Sequence, residues 1–190
     1  IVTSDGIKNF NSFPKSMVVV GAGVIGCEFA TIFSAFGQTK VFLIDKAERI
    51  LPFEDADVAE IVTNNLQLQG AKVHHGASLK RMEIKNNEVE YELEYKDGRT
   101  ELFHVEKALV STGRVPNIEN LGLENAGVKL NERGGIWDDD TQTNISNIYA
   151  AGDVTTEMAL VNVGEREARH AVARMYGPTV KPLSYKNIST

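Results

Sequence analysis

The stretch Met17-Val18-Val19-Val20-Gly21-Ala22-Gly23-Val24-Ile25-Gly26-Cys27-Glu28-Phe29-Ala30 sets the architecture of this chain. Its first four residues form a continuous apolar run, and their β-branching suits a strand buried on both faces. Beyond the glycines, Ile25, Phe29, Ile32 or Phe33, and Phe36 recur at the spacing of an amphipathic helix that ends at Gly37. Lys40-Val41-Phe42-Leu43-Ile44-Asp45 is a second apolar strand, closed by a carboxylate. Strand, glycine turn, helix and strand make one βαβ unit.

Gly21, Gly23 and Gly26 stand where a dinucleotide pyrophosphate needs them, with Ala22, Val24 and Ile25 completing the loop. The first glycine permits the sharp turn out of the strand, and the second lets backbone approach phosphate without a Cβ. The third lets helix and strand pack closely, while amides at the helix start face the anion. A glycine turn also arises for purely structural reasons, but the buried strand before this one, the helix after it and the acid beyond favour a dinucleotide. Asp45 lies 24 residues after Gly21 (45 − 21), close to the ~20 expected of a carboxylate gripping both ribose hydroxyls of NAD. A carboxylate there repels the 2′-phosphate of NADP, so NADH is expected to bind more tightly than NADPH. Lys46 and Arg49 follow closely, either as solvated surface charges or as phosphate partners. Cys27 is either a small buried packing residue or a thiol activated by the helix dipole. Glu28 is either a favourable charge at a helix start or a carboxylate aimed into the cofactor cleft.

Around this unit, Asp55 can cap a second helix with an inner face of Val58, Ile61, Val62 and Leu66, stopped by Gly70. Ala71 to His75 is expected as a third parallel strand. Leu79 to Lys85, Glu88 to Tyr95 and Arg99 to Val105 alternate in twos around Asn86-Asn87 and Asp97-Gly98, which predicts a three-stranded antiparallel meander. Lys107 to Ser111 returns to the parallel sheet. Further on, Leu121 to Gly127 suggests a short helix, Asn147 to Ala151 a strand, and Leu160 to Tyr176 a helix with a stripe of Leu160, Val163, Ala168, Ala171, Val172 and Met175, ended by Gly177-Pro178. His74 and His75 point to opposite faces of their strand and chelate one metal poorly. Asp138-Asp139-Asp140 reads as a solvated loop.

The 190 residues are 42% hydrophobic and 24% charged, with a net charge of −6. This is a globular composition, and its acidity argues against nucleic acid as the main partner. One cysteine rules out an internal disulfide and a Cys-rich zinc site. No apolar run reaches the ~18 residues of a membrane span. A soluble protein of a reducing compartment, the cytoplasm, is expected. Ile1 is not an initiator methionine, and Ile1 to Gly6 reads as mid-chain sequence, so the chain is expected to be an excerpt from a longer polypeptide.

Met17 to Ala30, Arg49-Ile50-Leu51-Pro52, Ser111 to Asn117 and Ala150 to Asp153 together resemble the pyridine nucleotide-disulfide oxidoreductases, nearest to dihydrolipoamide dehydrogenases. The resemblance spans nearly the whole chain. It implies an α/β fold: a Rossmann-like three-layer domain with a parallel sheet and an antiparallel three-stranded meander, plus a returning FAD-domain segment. The expected division is a linker at 1–14, an NAD-binding domain at 15–113, a partial FAD-domain segment at 114–178 and a linker at 179–190. By the same resemblance Glu28 lies near the nicotinamide, Lys46 beside the adenine-ribose acid, Leu79 near adenine, and Gly113 and Arg114 within reach of backbone contact to NAD. Gly152-Asp153 matches the turn whose aspartate bonds a ribityl hydroxyl of FAD, and Val161 lies close to a backbone contact with the flavin.

The chain also departs from that pattern. Val24 stands where some relatives carry a gating tyrosine, and one cysteine cannot supply the family's redox pair. Leu160-Val161-Asn162-Val163-Gly164 replaces the Leu-Ala-His of lipoamide enzymes. No catalytic residue is therefore expected within this chain. The resemblance implies NAD(H) and FAD as cofactors, a small-molecule or protein-bound disulfide as substrate, and a homodimer, in a longer NADH-linked flavoenzyme. The alternatives are a soluble FAD-dependent transhydrogenase and a non-catalytic NAD-binding module. This chain is expected to bind NADH but to retain no FAD.

Overall fold

The computed structural model describes residues 1–177 and 180–186. Pro178, expected to end the last helix, and positions 179 and 187–190 of the expected closing linker lie outside the described residues. The chain divides into two compact units, Ile1–Arg114 and Val115–Thr190.

In the first unit β1 (Val2–Thr3) and a 3-10 turn over Ser4–Asn9 precede β2 (Ser16–Val20) and α1 (Val24–Ala35). β3 (Lys40–Ile44), α2 (Ala56–Leu68) and β4 (Lys72–His74) follow. β5 (Ala77–Lys85), β6 (Glu88–Tyr95) and β7 (Thr100–Val105) form a separate antiparallel sheet, and β8 (Lys107–Val110) returns to the first. The parallel sheet has the order β1-β8-β2-β3-β4. Residues 1–14, expected as a linker, instead supply its edge: Val2 and Thr3 pair with Leu109 and Val110. Val2, Ile7 and Phe10 pack against the helix-side core.

Alternation along the buried strands builds three layers. Met17, Val19, Val41, Leu43 and Leu109 face the helices, meeting Ala30, Phe33 and Leu66. Val18, Val20, Phe42, Ile44 and Ala108 face the meander, meeting Val89, Tyr91, Leu93 and Val105. A strand with Met17, Val18 and Val19 all at 0% exposure needs apolar residues on both faces, hence the unbroken run in the sequence.

The helices keep part of the expected stripes, with Phe29, Phe33, Val62 and Leu66 packed on the core. α1 buries Gly26, Cys27, Ala30, Phe33 and Ser34, whereas Ile32 and Phe36 are exposed. The start of α1 meets the β2 turn so closely that Gly26 must lack a side chain, while the larger Phe33 is buried two turns further on. α2, capped by the Asp55 carboxylate accepting from Asp57 N–H, buries Ala59 and Leu66 and leaves Val58 and Ile61 exposed. The bulge in β5 between Leu79 and Arg81 sits where the meander leaves the parallel sheet.

In the second unit α3 (Leu123–Ala126) lies between Gly122 and Gly127, both left-handed. β9 (Asp138–Asp139) and β10 (Gln142–Thr143) form a hairpin whose turn residues Asp140 and Thr141 have positive φ. The expected strand at 147–151 reduces to one bridge, Tyr149 to Gln142, because β10 is the neighbour it meets and is itself two residues long. Asp138-Asp139-Asp140 is not simply a solvated loop: the Asp140 carboxylate accepts from Leu183 N–H at 2.8 Å and lies 2.9 Å from His170 Nε2. α4 (Val161–Tyr176) turns Val163, Glu167, His170 and Ala171 inward, and Ala168, Val172 and Met175 outward. Glu167 sets this rotation, since its carboxylate accepts from Gly152 N–H at 2.5 Å and from the Tyr185 hydroxyl at 2.8 Å. Among the described residues no helix is long and apolar enough to cross a membrane.

At the seam between sheet and meander in the first unit, the His74 ring stacks on Phe42 and meets Phe103 edge-on. Its Nδ1 lies 2.8 Å from the Tyr95 hydroxyl. Burial holds this imidazole below the ordinary histidine range. As pH falls through about 6.5 the unfolded chain takes up a proton that the folded chain refuses, and stability declines until the folded imidazole itself protonates. His74→Asn should therefore lose less Tm than the wild type between about pH 7 and 5, as read by scanning calorimetry. An identical acid slope in the two proteins would show that His74 does not carry it.

Candidate functional site

The parallel sheet creates one switch point. The chain leaves β2 for β3 on one side and returns at β8 on the other, which opens a crevice at the carboxyl ends of these strands. A cleft of about 600 Å³ lies there, lined by Gly21 and Gly23, by Asp45 and Lys46 after β3, by Pro52 and Phe53, by Leu79 of β5, and by Ser111 to Gly113 after β8.

The three glycines do three different jobs. Gly21 has φ +95, and a Cβ there would stand 2.6 Å from the Ser111 carbonyl oxygen. A Cβ on Gly26 would collide with the Gly21 carbonyl oxygen, so this glycine sets how closely α1 meets the turn. Gly23 differs: a Cβ there would meet nothing within 4 Å, so its lack of a side chain keeps space open rather than relieving a protein contact. Gly23 is also the N-cap of α1, and Cys27 N–H is the first to find an intrahelical acceptor, at Gly23 O. The amides of Val24, Ile25 and Gly26 thus lack an intrahelical acceptor and add to the positive end of the helix dipole.

Asp45 is built into the turn. Its carboxylate accepts from Ala22 N–H at 2.6 Å and from Ala47 N–H at 2.8 Å, one bond per oxygen. A carboxylate has about four lone-pair sites, so about two remain for a ligand's hydroxyls. Ser111 Oγ ties the other side, donating to the carbonyls of Val20 and Gly21. Arg49 donates to the carbonyl of Pro52 at 2.9 Å and that of Glu54 at 2.8 Å. Of the two cations beside the acid, it is therefore engaged in shaping the loop, while Lys46 is exposed in the cleft.

Of the sequence candidates, Gly21, Gly23, Asp45, Lys46, Leu79 and Gly113 meet in the cleft. Ala22 lies fully buried beneath it, and Val24, Ile25 and Gly26 form the first turn of α1. Glu28 and Arg114 are exposed and are not among its lining residues. Gly152, Asp153 and Val161 belong to the second unit: Gly152 opens a 3-10 turn at φ +79, Asp153 is exposed in that turn, and Val161 starts α4. Cys27 is a buried packing residue. Burial first, then the charges of Asp45 and Glu28, push its thiol up to about 11, which removes the activated-thiol alternative. Sequence reasoning missed Phe53 and Ser111 as cleft residues; the signal for Phe53 was an apolar pair, Leu51 and Phe53, in a turn between strand and helix cap.

A family model described as pyridine nucleotide-disulphide oxidoreductase matches residues 1–168. A dihydrolipoyl dehydrogenase of Corynebacterium glutamicum is 38% identical over 172 residues, covering 90% of this chain and 36% of that protein. A soluble pyridine nucleotide transhydrogenase of Stutzerimonas stutzeri is 38% identical over 172 residues, with 90% and 36% covered. The crystal structure of LpdA from Mycobacterium tuberculosis superposes with a TM-score of 0.90 at 29% identity, covering 100% of this chain and 40% of that one. The chain spans little more than a third of the length of the curated relatives it matches.

The glycine geometry separates two kinds of substitution. Gly26→Ala and Gly21→Ala should each cost about 1–3 kcal/mol of stability through overpacking and left-handed strain. Gly23→Ala should leave Tm within about a degree of wild type, since its Cβ meets no protein atom. Thermal denaturation followed by circular dichroism checks this; an equal loss at all three positions would contradict it.

Proposed function

The chain belongs to the pyridine nucleotide-disulphide oxidoreductase family, and from that premise we propose that it supplies the NADH site, and a share of the FAD site, of a longer FAD-dependent oxidoreductase. The observation that carries the proposal is the pairing, in one cleft, of open space at Gly23 on a helix N-terminus with the half-satisfied Asp45 carboxylate at the next strand end. A pyrophosphate fits the first and a ribose the second. When bound, the nicotinamide and the flavin supply the hydride chemistry.

The work of this chain is to bind and orient. The glycine turn presents the amides of Val24, Ile25 and Gly26 at the start of α1 to the pyrophosphate, those of Gly21 and Ala22 being engaged by Ile44 O and Asp45, and the spare lone pairs of Asp45 accept from the ribose hydroxyls. Lys46 and Leu79 border the adenosine end, on the β3 side of the switch point, with Gly113 at the β8 end. Arg114 and Glu28 serve the nicotinamide end in this proposal, with Glu28 on the exposed side of α1. In the second unit Asp153 would hold a ribityl hydroxyl of FAD, on a turn fixed by the Glu167 bond to Gly152, and Val161 would meet the flavin. No side chain of this chain takes the catalytic part, and the buried Cys27 thiol is not a redox centre. The whole enzyme is proposed to act in the cytoplasm as a homodimer on a disulfide substrate of the lipoamide kind.

The segment Leu160-Val161-Asn162-Val163-Gly164 favours a second reading. It lacks the histidine of the lipoamide pattern, in keeping with transhydrogenation between two nicotinamide nucleotides without a disulfide. The reading frame upstream of Ile1 separates the two: a cysteine pair four residues apart supports the disulfide reductase, and a flavin fingerprint without it supports the transhydrogenase.

Titration calorimetry tests the site itself. NADH should bind more tightly than NADPH, because Asp45 opposes a 2′-phosphate and Arg49 is engaged elsewhere. Asp45→Ala should weaken NADH by about 1–3 kcal/mol, the cost of hydroxyls left unpaired. Equal affinities for the two nucleotides, or no loss on removing the carboxylate, would sink the assignment.

A further inference from the structure

Phe53 is 99% exposed, yet it belongs to the rim of the cleft. Isolated apolar side chains on a surface are ordinary. The segment that carries this one is not, because three separate devices fix it. Ile50 anchors its base at 0% exposure. Leu51 holds a left-handed φ of 48, and its N–H donates at 2.8 Å to Ala22 O in the glycine turn. The Arg49 guanidinium then grips the carbonyls of Pro52 and Glu54, one on each side of Phe53. A non-glycine residue in left-handed backbone is strained and persists where its surroundings impose it. This loop is therefore held in shape while presenting a bare ring to water.

The position of the ring selects its occupant. Phe53 follows β3, on the side of the switch point where Asp45 stands, and Leu79 of β5 lines the same cleft. A dinucleotide whose ribose meets Asp45 carries its adenine out past that carboxylate, towards these two apolar side chains.

Resting on the assignment of the cleft to NADH, we propose that Phe53 is the adenine-binding lip of the site, its ring lying against the face of the base. An aromatic suits this role, since a purine offers a π-face to stack on, and a backbone already held in place leaves only the side-chain torsions of Phe53 to be ordered when the base arrives. The residue is thus a positioning element for the dinucleotide and has no part in the hydride chemistry.

The experiment measures NADH and ADP-ribose affinities by calorimetry on the chain as it stands, for wild type, Phe53→Ala and Phe53→Tyr. ADP-ribose keeps the adenine and lacks the nicotinamide. Phe53→Ala should weaken both ligands by about tenfold, the loss typical of one base–aromatic stack. Phe53→Tyr should stay within about twofold of wild type, because the ring remains. Both variants should melt with the wild type, since so exposed a side chain contributes little to the core. Undiminished NADH binding by Phe53→Ala overturns the lip while leaving the site intact. A loss for NADH without one for ADP-ribose overturns it too, placing the ring at the other end of the ligand. An equal loss in Phe53→Tyr would mean that stacking is not the cause. Failure of the wild type to bind NADH would overturn the assignment of the cleft itself.

Discussion

The approach of α1 to the β2 turn is the constraint on which the first unit depends. No side chain fits at Gly26, because the Gly21 carbonyl already stands where its Cβ would be. At its start the helix comes that close on small residues, Gly26, Cys27 and Ala30, with Phe33 buried further along, while Ile32 and Phe36 turn to solvent. The same approach brings the start of α1 to the rim of the crevice. Packing and site geometry have one cause here, and the position of the helix N-terminus is a by-product of how the core is filled.

Much of this was legible in the sequence because it is local. The unbroken apolar run at 17–20 announces a strand covered on both faces, and the glycine spacing announces the turn. Asn86-Asn87 and Asp97-Gly98 mark the two meander hairpins, whose strands form where alternation in twos places them. Asp45 could be picked out because it ends the next strand. What failed to show was non-local or ran against the pattern. Val2 and Thr3 read as linker, since nothing in two residues foretells that Leu109 and Val110 offer them an edge. Glu167 was hidden because a search for apolar periodicity skips a carboxylate, although that carboxylate orients α4. Phe53 escaped for the opposite reason, because a loop aromatic carries no period at all.

The second unit is organised differently. Its apolar core is small, with Val128, Ile136 and Ala150 at its centre, and its backbone is held largely by polar side chains. Asn131 caps the turn around Gly135 and reaches Thr155 and Thr156. Asn144 bridges to Gly127 and Lys129. Hydrogen bonds of this kind fix loops where sheet ladders are absent, and they explain why period-based reading was least successful in this part of the chain.

Under the proposed function, the bond from Ala22 N–H to Asp45 gives one carboxylate two masters, the fold of the turn and the choice of nucleotide. An ancestor drifting towards a phosphorylated nucleotide must give up this negative charge, and with it the strut that holds the glycine turn against the end of β3. The first mutational step is thus paid in rigidity before any new partner for the phosphate exists. A switch of nucleotide preference in this lineage runs through a loosened intermediate, or waits until a neighbouring residue has taken over the support of Ala22.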